Sequence, residues 1–501
     1  MFSKLSERLL IKNRDHEGNL RVVEYLDNDS IRPTPVKDRT WTQFTYTFFG
    51  LSMWESLACQ LGGQLLAGLL MALNGRAGAM YRIPFPVLCR SSFGTWGALW
   101  PTFNRAAMVI VWNGVNKWNI TALTLIEISV FLHAIFPSIA QIPDRMGPKS
   151  ALTPAGMMCF FIYWLINCVF LLIPVPRMKG FIYAKVFVFF AATISMAAWT
   201  LSLSGNATAT LNQLGTNHGS EKSWAIAQFL FLGLASSGTF ISNAADLQRY
   251  ARKPNDVILR QVFGFPISNL LVGILGNLIV ASSVRIFGEF VWNPLETLDK
   301  LMAGDRYTPA NRAGCAFISL ALFYSTIFSA IFENSIPAGN DIAGLLPKYI
   351  DIKRGFFICA VLSYAICPWY LLSSAAVFIT FLASYQIFLS AIAGIMICDY
   401  YLIQRGLLDV PSLYSLDKDG AYRFFHGFNI RAFAVYLIAV APNFYGFLNR
   451  LGVAAPLGIQ EFYYVAYPVG VLLAFLGFYL ANLLSPLAWS ERLVGWSLGI
   501  I

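Results

Sequence analysis

Between residues 42 and 485 the chain is a succession of apolar segments separated by short polar stretches. Most segments are about twenty residues long, and that recurring length constrains the fold more than any motif. An α-helix rises about 1.5 Å per residue, so about twenty residues match a hydrocarbon layer about 30 Å thick. Only 12% of the residues are charged and 57% are apolar, whereas a soluble domain carries about 25% charged residues. The pattern predicts an all-α polytopic membrane protein. Its expected organisation is a basic, cytoplasmic N-terminal segment (1–41), a transmembrane domain (42–486) and a short tail (487–501). Beyond an opening stretch at 39–76, helices are predicted near 101–124 (with 125–136 as an extension), 153–174, 180–203, 224–242, 260–285, 312–333, 356–371, 375–398, 431–449 and 463–485.

Positive charge orients such a chain, because Lys and Arg collect in cytoplasmic loops. The first 39 residues hold Lys4, Arg8, Lys12, Arg14, Arg21, Arg32, Lys37 and Arg39. That segment is polar and basic, unlike a cleaved signal peptide. Later basic clusters stand at 76–90, 177–179, 249–260, 348–354 and 405–431, each two predicted helices from the next, so all fall on one face. The N-terminus and the 76–90 loop would share that face only with an even number of crossings between them. The 33 residues from 42 to 74 leave room for one helix and a short run, at about 30 Å per crossing. Length therefore says one crossing and charge says two.

The chemistry of other function classes is missing. The eight Cys and four His are scattered without metal-ligand spacing, and no metal is expected. There is no GxSxG, HExxH or Walker loop, so no enzyme is expected. Residues 75–78 read as a turn. The net charge of +10 fits cytoplasmic loops and does not suggest nucleic acid. Asn206-Ala-Thr208 is a weak glycosylation sequon.

Two helices look interrupted. "AQFLFLGLASSGTFISNAADLQRY" crowds Ser, Gly and Asn into its middle, and "FSAIFENSIPAGNDIAGLLPKYI" is expected to break around 337–339. Non-helical backbone at membrane depth is tolerated where it is buried in protein or lines a cavity, and broken helices point to transporter sites; a plain kink is the simpler alternative.

Side chains of interest follow. Trp112 and Asn116, four apart in "WNGVN", share a helix face. An indole offers a stacking surface and a carboxamide a paired donor and acceptor; the same pair would also suit a packed Trp with an interhelical amide bond. Asn340 and Asp341 lie just beyond the second break, where an ionisable group reads as functional or as a helix cap. Asp246 has Arg249 nearby as a local partner. Ser237 and Thr239 leave space in the first break, or serve as helix-packing residues. Lys185 lies deep in its helix, where an uncompensated charge costs about 2.5–3.5 kcal/mol. It would snorkel or pair with a carboxylate such as Asp341.

Five stretches carry a resemblance: "NGRAGAMYRIPFPVLCRSSFGTWGALWPTFNRA", "WNGVN", "SNAADLQRYARKPND", "NSIPAGNDIAGLLPKYIDIKRG" and "GIMICDYYLIQRGLLDVPSLY…FHGFNIRAFAVYLIAVAPNFYGF". Over roughly 28–485 the chain resembles the fungal branch of the nucleobase–cation symporter 1 family, the uracil, uridine and allantoin permeases, with thiamine and nicotinamide-riboside carriers as cousins. The resemblance implies twelve helices in a five-plus-five inverted repeat (LeuT-like), with substrate at the midplane and a proton as coupling ion. Residues 47–73 resemble the family's second helix, so most of its first is absent and eleven remain. Substrate contact is implied for Trp112, Asn116, Ser237, Thr239 and Asn334, although the family has Gln where this chain has Asn116. A proton-linked role is implied for Lys185, Asn340, Asp341 and Asp246, and gating for Tyr385, Phe388 and Leu389, a run that otherwise reads as helix packing. No cofactor or sodium is expected. The leading expectation is a plasma-membrane importer of a small heterocycle, with the lipid bilayer as its other partner. A non-transporting paralogue, a sensor or a truncated gene product is the alternative, because the first helix is missing.

Overall fold

The structure is a computed structural model. It describes residues 12–14, 20–22, 57–136, 138, 142–143, 153–205, 219–289, 291, 293–366, 384–418 and 420–485, with side chains at 12–14, 20–22, 57–60, 115–129, 219, 221–222, 225 and 260 outside the description. Apart from a short antiparallel ribbon, β1 (Lys12–Arg14) with β2 (Leu20–Val22), the described residues are mostly helical.

The first helix, α1, runs over Leu57–Tyr81. It corrects two expectations: residues 75–78 lie inside the helix, and the crossing reaches beyond the predicted end at 73. The chain turns only at Arg82, where φ is +64°. Residues 39–56, where the one-or-two-crossing question arises, lie outside the described residues. After α1 come a short α2 (Phe85–Phe93) and a long α3 (Leu99–Ile135), the latter absorbing the predicted 125–136 extension. The chain continues through α4 (Pro154–Phe170) and α5 (Lys179–Ser204). The next predicted helix is two: α6 (Gly219–Ser236) and α7 (Gly238–Gln248). Then follow α8 (Phe265–Phe287), α9 (Pro294–Lys300), α10 (Pro309–Ala330), α11 (Ile336–Leu345) and α12 (Ile352–Ala365). The last part holds α13 (Gln386–Cys398), α14 (Ile430–Arg450), α15 (Leu457–Tyr464) and α16 (Ala466–Leu484). Predicted residues 367–371 and 375–383 lie outside the described ones.

Six stretches among the described residues are long and apolar enough to cross a bilayer, and Pro154–Phe170 is a shorter apolar helix. Outward-facing Phe187, Phe317, Leu437 and Leu472 are well exposed. Apolar rows of this kind suit lipid rather than water.

The two interruptions have different causes. Between α6 and α7 only Ser237 leaves helical geometry (φ −88°, ψ 3°). Between α10 and α11 the backbone widens into a π-turn over Ile331–Ser335. The break therefore falls one turn before the expected 337–339. Pro337 has no N–H and its ring crowds the carbonyl four residues back, at Glu333. The extra residue of a π-turn absorbs that misfit, so the distortion sits upstream of the proline.

Packing brings these breaks inward. Glycines on α1 let helices close in: a side chain at Gly63 would strike the backbone of Leu230 on α6, and one at Gly78 would strike Ala245 on α7. Without water-driven burial between spanning helices, small residues and dispersion provide the association. α3 packs against α4, α10 and α11, and α13 lies along α16. The 404–429 segment straps the polar end of this assembly. Asn429 donates to the Ser92 carbonyl (2.7 Å), and Trp96 N–H donates to the Gly427 carbonyl (2.9 Å). Gly427 (φ +91°) is required there, because a Cβ would enter the Trp96 ring. Asp399, at the end of α13, accepts from Ser91 (2.8 Å) and Ser92 (2.9 Å) on α2.

Candidate substrate site

Trp112 faces inward from α3 and is buried. Its indole N–H donates to the Tyr385 hydroxyl at 2.8 Å, so the expected stacking surface and the expected gate are joined directly. Asn116 lies one turn further along α3, and its side chain falls outside the described residues. Asn113 is buried too, but it donates to Cys359 Sγ (3.1 Å) and Ser363 Oγ (3.3 Å) on α12, a helix-to-helix clamp.

At the α6–α7 break, Ser237 Oγ donates to Gln64 Oε1 (3.1 Å), and Gln64 Nε2 donates to the Gly233 carbonyl (3.2 Å). The Ser237 hydroxyl thus fastens the broken pair to α1. Thr239 is buried just after the break. Asn243, farther along α7, donates to the Glu333 carbonyl at 3.3 Å and so ties one broken helix to the other. On the π-turn Asn334 is buried, and its Nδ2 has no hydrogen-bond partner among the described residues. A π-turn frees backbone and side-chain positions that a regular helix would occupy, which explains its frequency at functional sites.

Lys185 is buried on α5, as its depth in the sequence implied, but its partner is not Asp341. Its Nζ lies 3.6 Å from Glu333 Oε1 on the π-turn, and both groups are shielded from solvent. The reason is geometric. Asp341 lies eight residues beyond Glu333, about two turns and about 12 Å along the helix axis, and is engaged elsewhere.

That engagement was not anticipated. Arg105 on α3 is fully buried and grips Asp341 through Nε–Oδ2 (2.8 Å) and a second, shorter Nη2–Oδ1 contact. The same Nη2 lies 2.6 Å from Asp246 Oδ2 on α7, and Nη1 donates to the Ser242 carbonyl (3.1 Å). The guanidinium sits 3.9 Å over the Phe85 ring of α2, and Asp246 Oδ1 accepts from the Phe85 N–H (3.1 Å). Arg249 completes the group by donating to Asn340 Oδ1 (3.2 Å) and to the Tyr250 hydroxyl (2.8 Å). Asp246 is thus bonded to Arg105, while Arg249, its expected local partner, bonds Asn340, within a network across α2, α3, α7 and α11. Two cations and two carboxylates balance there. The planar guanidinium fork suits such a junction, since it binds two carboxylates in fixed directions. The available signal in the sequence was one cation near the start of an otherwise apolar helix, in "TFNRAAMVIVW".

Of the gate residues, Tyr385 and Leu389 are buried. Phe388 turns to α14 instead, edge-on to Phe447 (ring centroids 5.5 Å apart, planes at 81°).

Residues 39–470 match the family described as permeases for cytosine and purines, uracil, thiamine and allantoin. This chain belongs to that family, nucleobase–cation symporter 1. As a family member it is 33% identical to the uridine permease of Saccharomyces cerevisiae, over 93% of this chain and 76% of that one. It is 31% identical to the uracil permease of the same yeast, over 90% and 75%. In fold it is similar to the family transporter Mhp1 in a closed conformation with bromovinylhydantoin bound. That match has a TM-score of 0.70 and 21% identity, and covers 94% of this chain and 100% of that one. The membrane permease fold and the family are therefore established together.

Proposed function

We propose that this permease imports a small polar heterocycle, such as uracil, uridine or allantoin, by proton symport and alternating access. The observation that carries the reading is Asn334. Its amide nitrogen is buried at a helix irregularity without a hydrogen-bond partner among the described residues, which is costly at membrane depth, by several kcal/mol, unless a ligand carbonyl completes it. Trp112 supplies the flat wall on which a heterocycle stacks, and its bond to Tyr385 makes closure of the site sensitive to what lies against that wall. Ser237 and Thr239 are the small polar side chains offered to the ligand at the break in this reading.

Coupling is assigned to the buried charges. Protonation of Glu333 would remove its attraction for Lys185, and protonation of Asp341 or Asp246 would loosen the Arg105 junction between α3, α7 and α11. Asn340 holds Arg249 to that junction. The coupling ion in this reading is a proton, and no cofactor takes part. In this reading the basic N-terminal segment lies in the cytoplasm, on the side where Lys and Arg collect, and the plasma membrane is the site of action.

Uptake of labelled uracil, uridine, allantoin and thiamine, in cells lacking their own carriers, tests the proposal. Accumulation of one of the first three is expected, with loss of uptake in Asn334→Ala. No accumulation of any of them by a protein that reaches the membrane would overturn it, and wild-type uptake by Asn334→Ala would remove Asn334 from the site.

A further inference from the structure

Tyr467 stands near the start of α16, far in sequence from every site residue considered so far, and is fully buried. Its ring lies against the break between α6 and α7. A Cβ built on Gly238 would stand 3.0 Å from Tyr467 Cε2 and 3.6 Å from its Oη. The absence of a side chain at 238 is what lets the phenol approach the first turn of α7. The surrounding cluster includes Ala235, Phe240, Ile241, Ala244 and Ala393. In this apolar setting the Tyr467 hydroxyl has no hydrogen-bond partner among the described residues.

A phenylalanine would fill the same space without that hydroxyl. Burying a hydroxyl with no partner costs about 1–3 kcal/mol. Asn334 and Asn243 contribute further unsatisfied polar ends, Nδ2 and Oδ1, from the π-turn and from α7. Polar ends left unmatched around one pair of helix breaks share the need for a ligand that both donates and accepts.

We propose that Tyr467 is a substrate-contacting, specificity-determining residue, its hydroxyl bonding a carbonyl or ring N–H of the heterocycle at the α6–α7 break. The inference rests on the permease reading above. It adds α16 to the elements that build the site and makes Gly238 the residue that admits the phenol. The hydroxyl both donates and accepts, so it selects heterocycles with a polar edge there over analogues that carry a methyl group in its place.

The test is binding of uracil, uridine and allantoin to the purified full-length protein in detergent, comparing wild type with Tyr467→Phe and Gly238→Ala. Tyr467→Phe is expected to weaken binding of the transported heterocycle about tenfold while leaving the melting temperature without ligand no lower than that of wild type. A purely structural hydroxyl would do the opposite, its loss lowering the melting temperature and leaving Kd alone. Gly238→Ala, which presses a methyl group on the ring, should also weaken binding. If wild type binds and Tyr467→Phe binds equally well, the assignment of Tyr467 is overturned and the permease reading stands. If wild type binds none of the three ligands, both are overturned.

Discussion

At the scale of single residues, the account depends on partners chosen across helices. Trp112 was legible because an indole and a carboxamide four apart mark one helix face, and the indole does point inward. Its partner was not legible, because the approach of Tyr385 depends on how α13 is set against α3. Removing either end of that bond, by Trp112→Phe or Tyr385→Phe, should weaken transport by about 1 kcal/mol in transition-state terms. The double variant should cost little more than either single one, since both remove the same bond. Kinetics of uptake for the four proteins measure this, and strictly additive losses would show that the two side chains act separately. Arg105 is a stronger case. Its replacement by Met leaves Asp246 and Asp341 without the guanidinium that bonds both, with only Arg249 near by, at a cost of about 3–5 kcal/mol. Arg105→Lys should recover only part of this, because an ammonium cannot fork to two carboxylates. Thermal melting in detergent, with expression as a second readout, checks both.

Elements show why some of the sequence could be read and some could not. Spanning lengths follow directly from composition, so α5, α8, α14 and α16 fall close to their predicted ranges. The break near Pro337 was predictable in kind, but its displacement into a π-turn depends on how the helix absorbs a missing N–H. Glycines at 75 and 78 suggested a turn, whereas on α1 they are the flat face against which α7 packs. Lys185 was expected either to snorkel or to pair with a carboxylate such as Asp341; it is buried against Glu333, and sequence spacing does not say which of two carboxylates on the α10–α11 helix lies level with it. The identity of the pair leads to a prediction at this scale. Lys185→Met or Glu333→Gln alone should destabilise the protein, because each leaves the other group uncompensated. The double change to Met and Leu should restore most of the stability, and uptake in that variant should lose its dependence on external pH. A double variant that keeps the wild-type pH profile would remove this pair from coupling.

For the whole molecule, two broken helices, α6–α7 and α10–α11, are held face to face by Asn243 and tied to α3 by Arg105. Moving one helix group against the other must break that junction, whose charges compensate only when assembled. Substrate at Asn334 and protons on the buried carboxylates would act on the same elements, so neither should move efficiently alone. The similarity to Mhp1 supports the architecture. The proposed chemistry rests on residues of this chain, chiefly Asn334, Trp112 and the two charge groups. The most direct test uses purified protein in sealed vesicles with an imposed pH gradient and labelled uracil, uridine or allantoin. The account predicts accumulation against a concentration gradient when the proton gradient points inward, collapse on adding a protonophore, and none with Asn334→Ala. Accumulation that ignores the proton gradient, or that survives in Asn334→Ala, would contradict it.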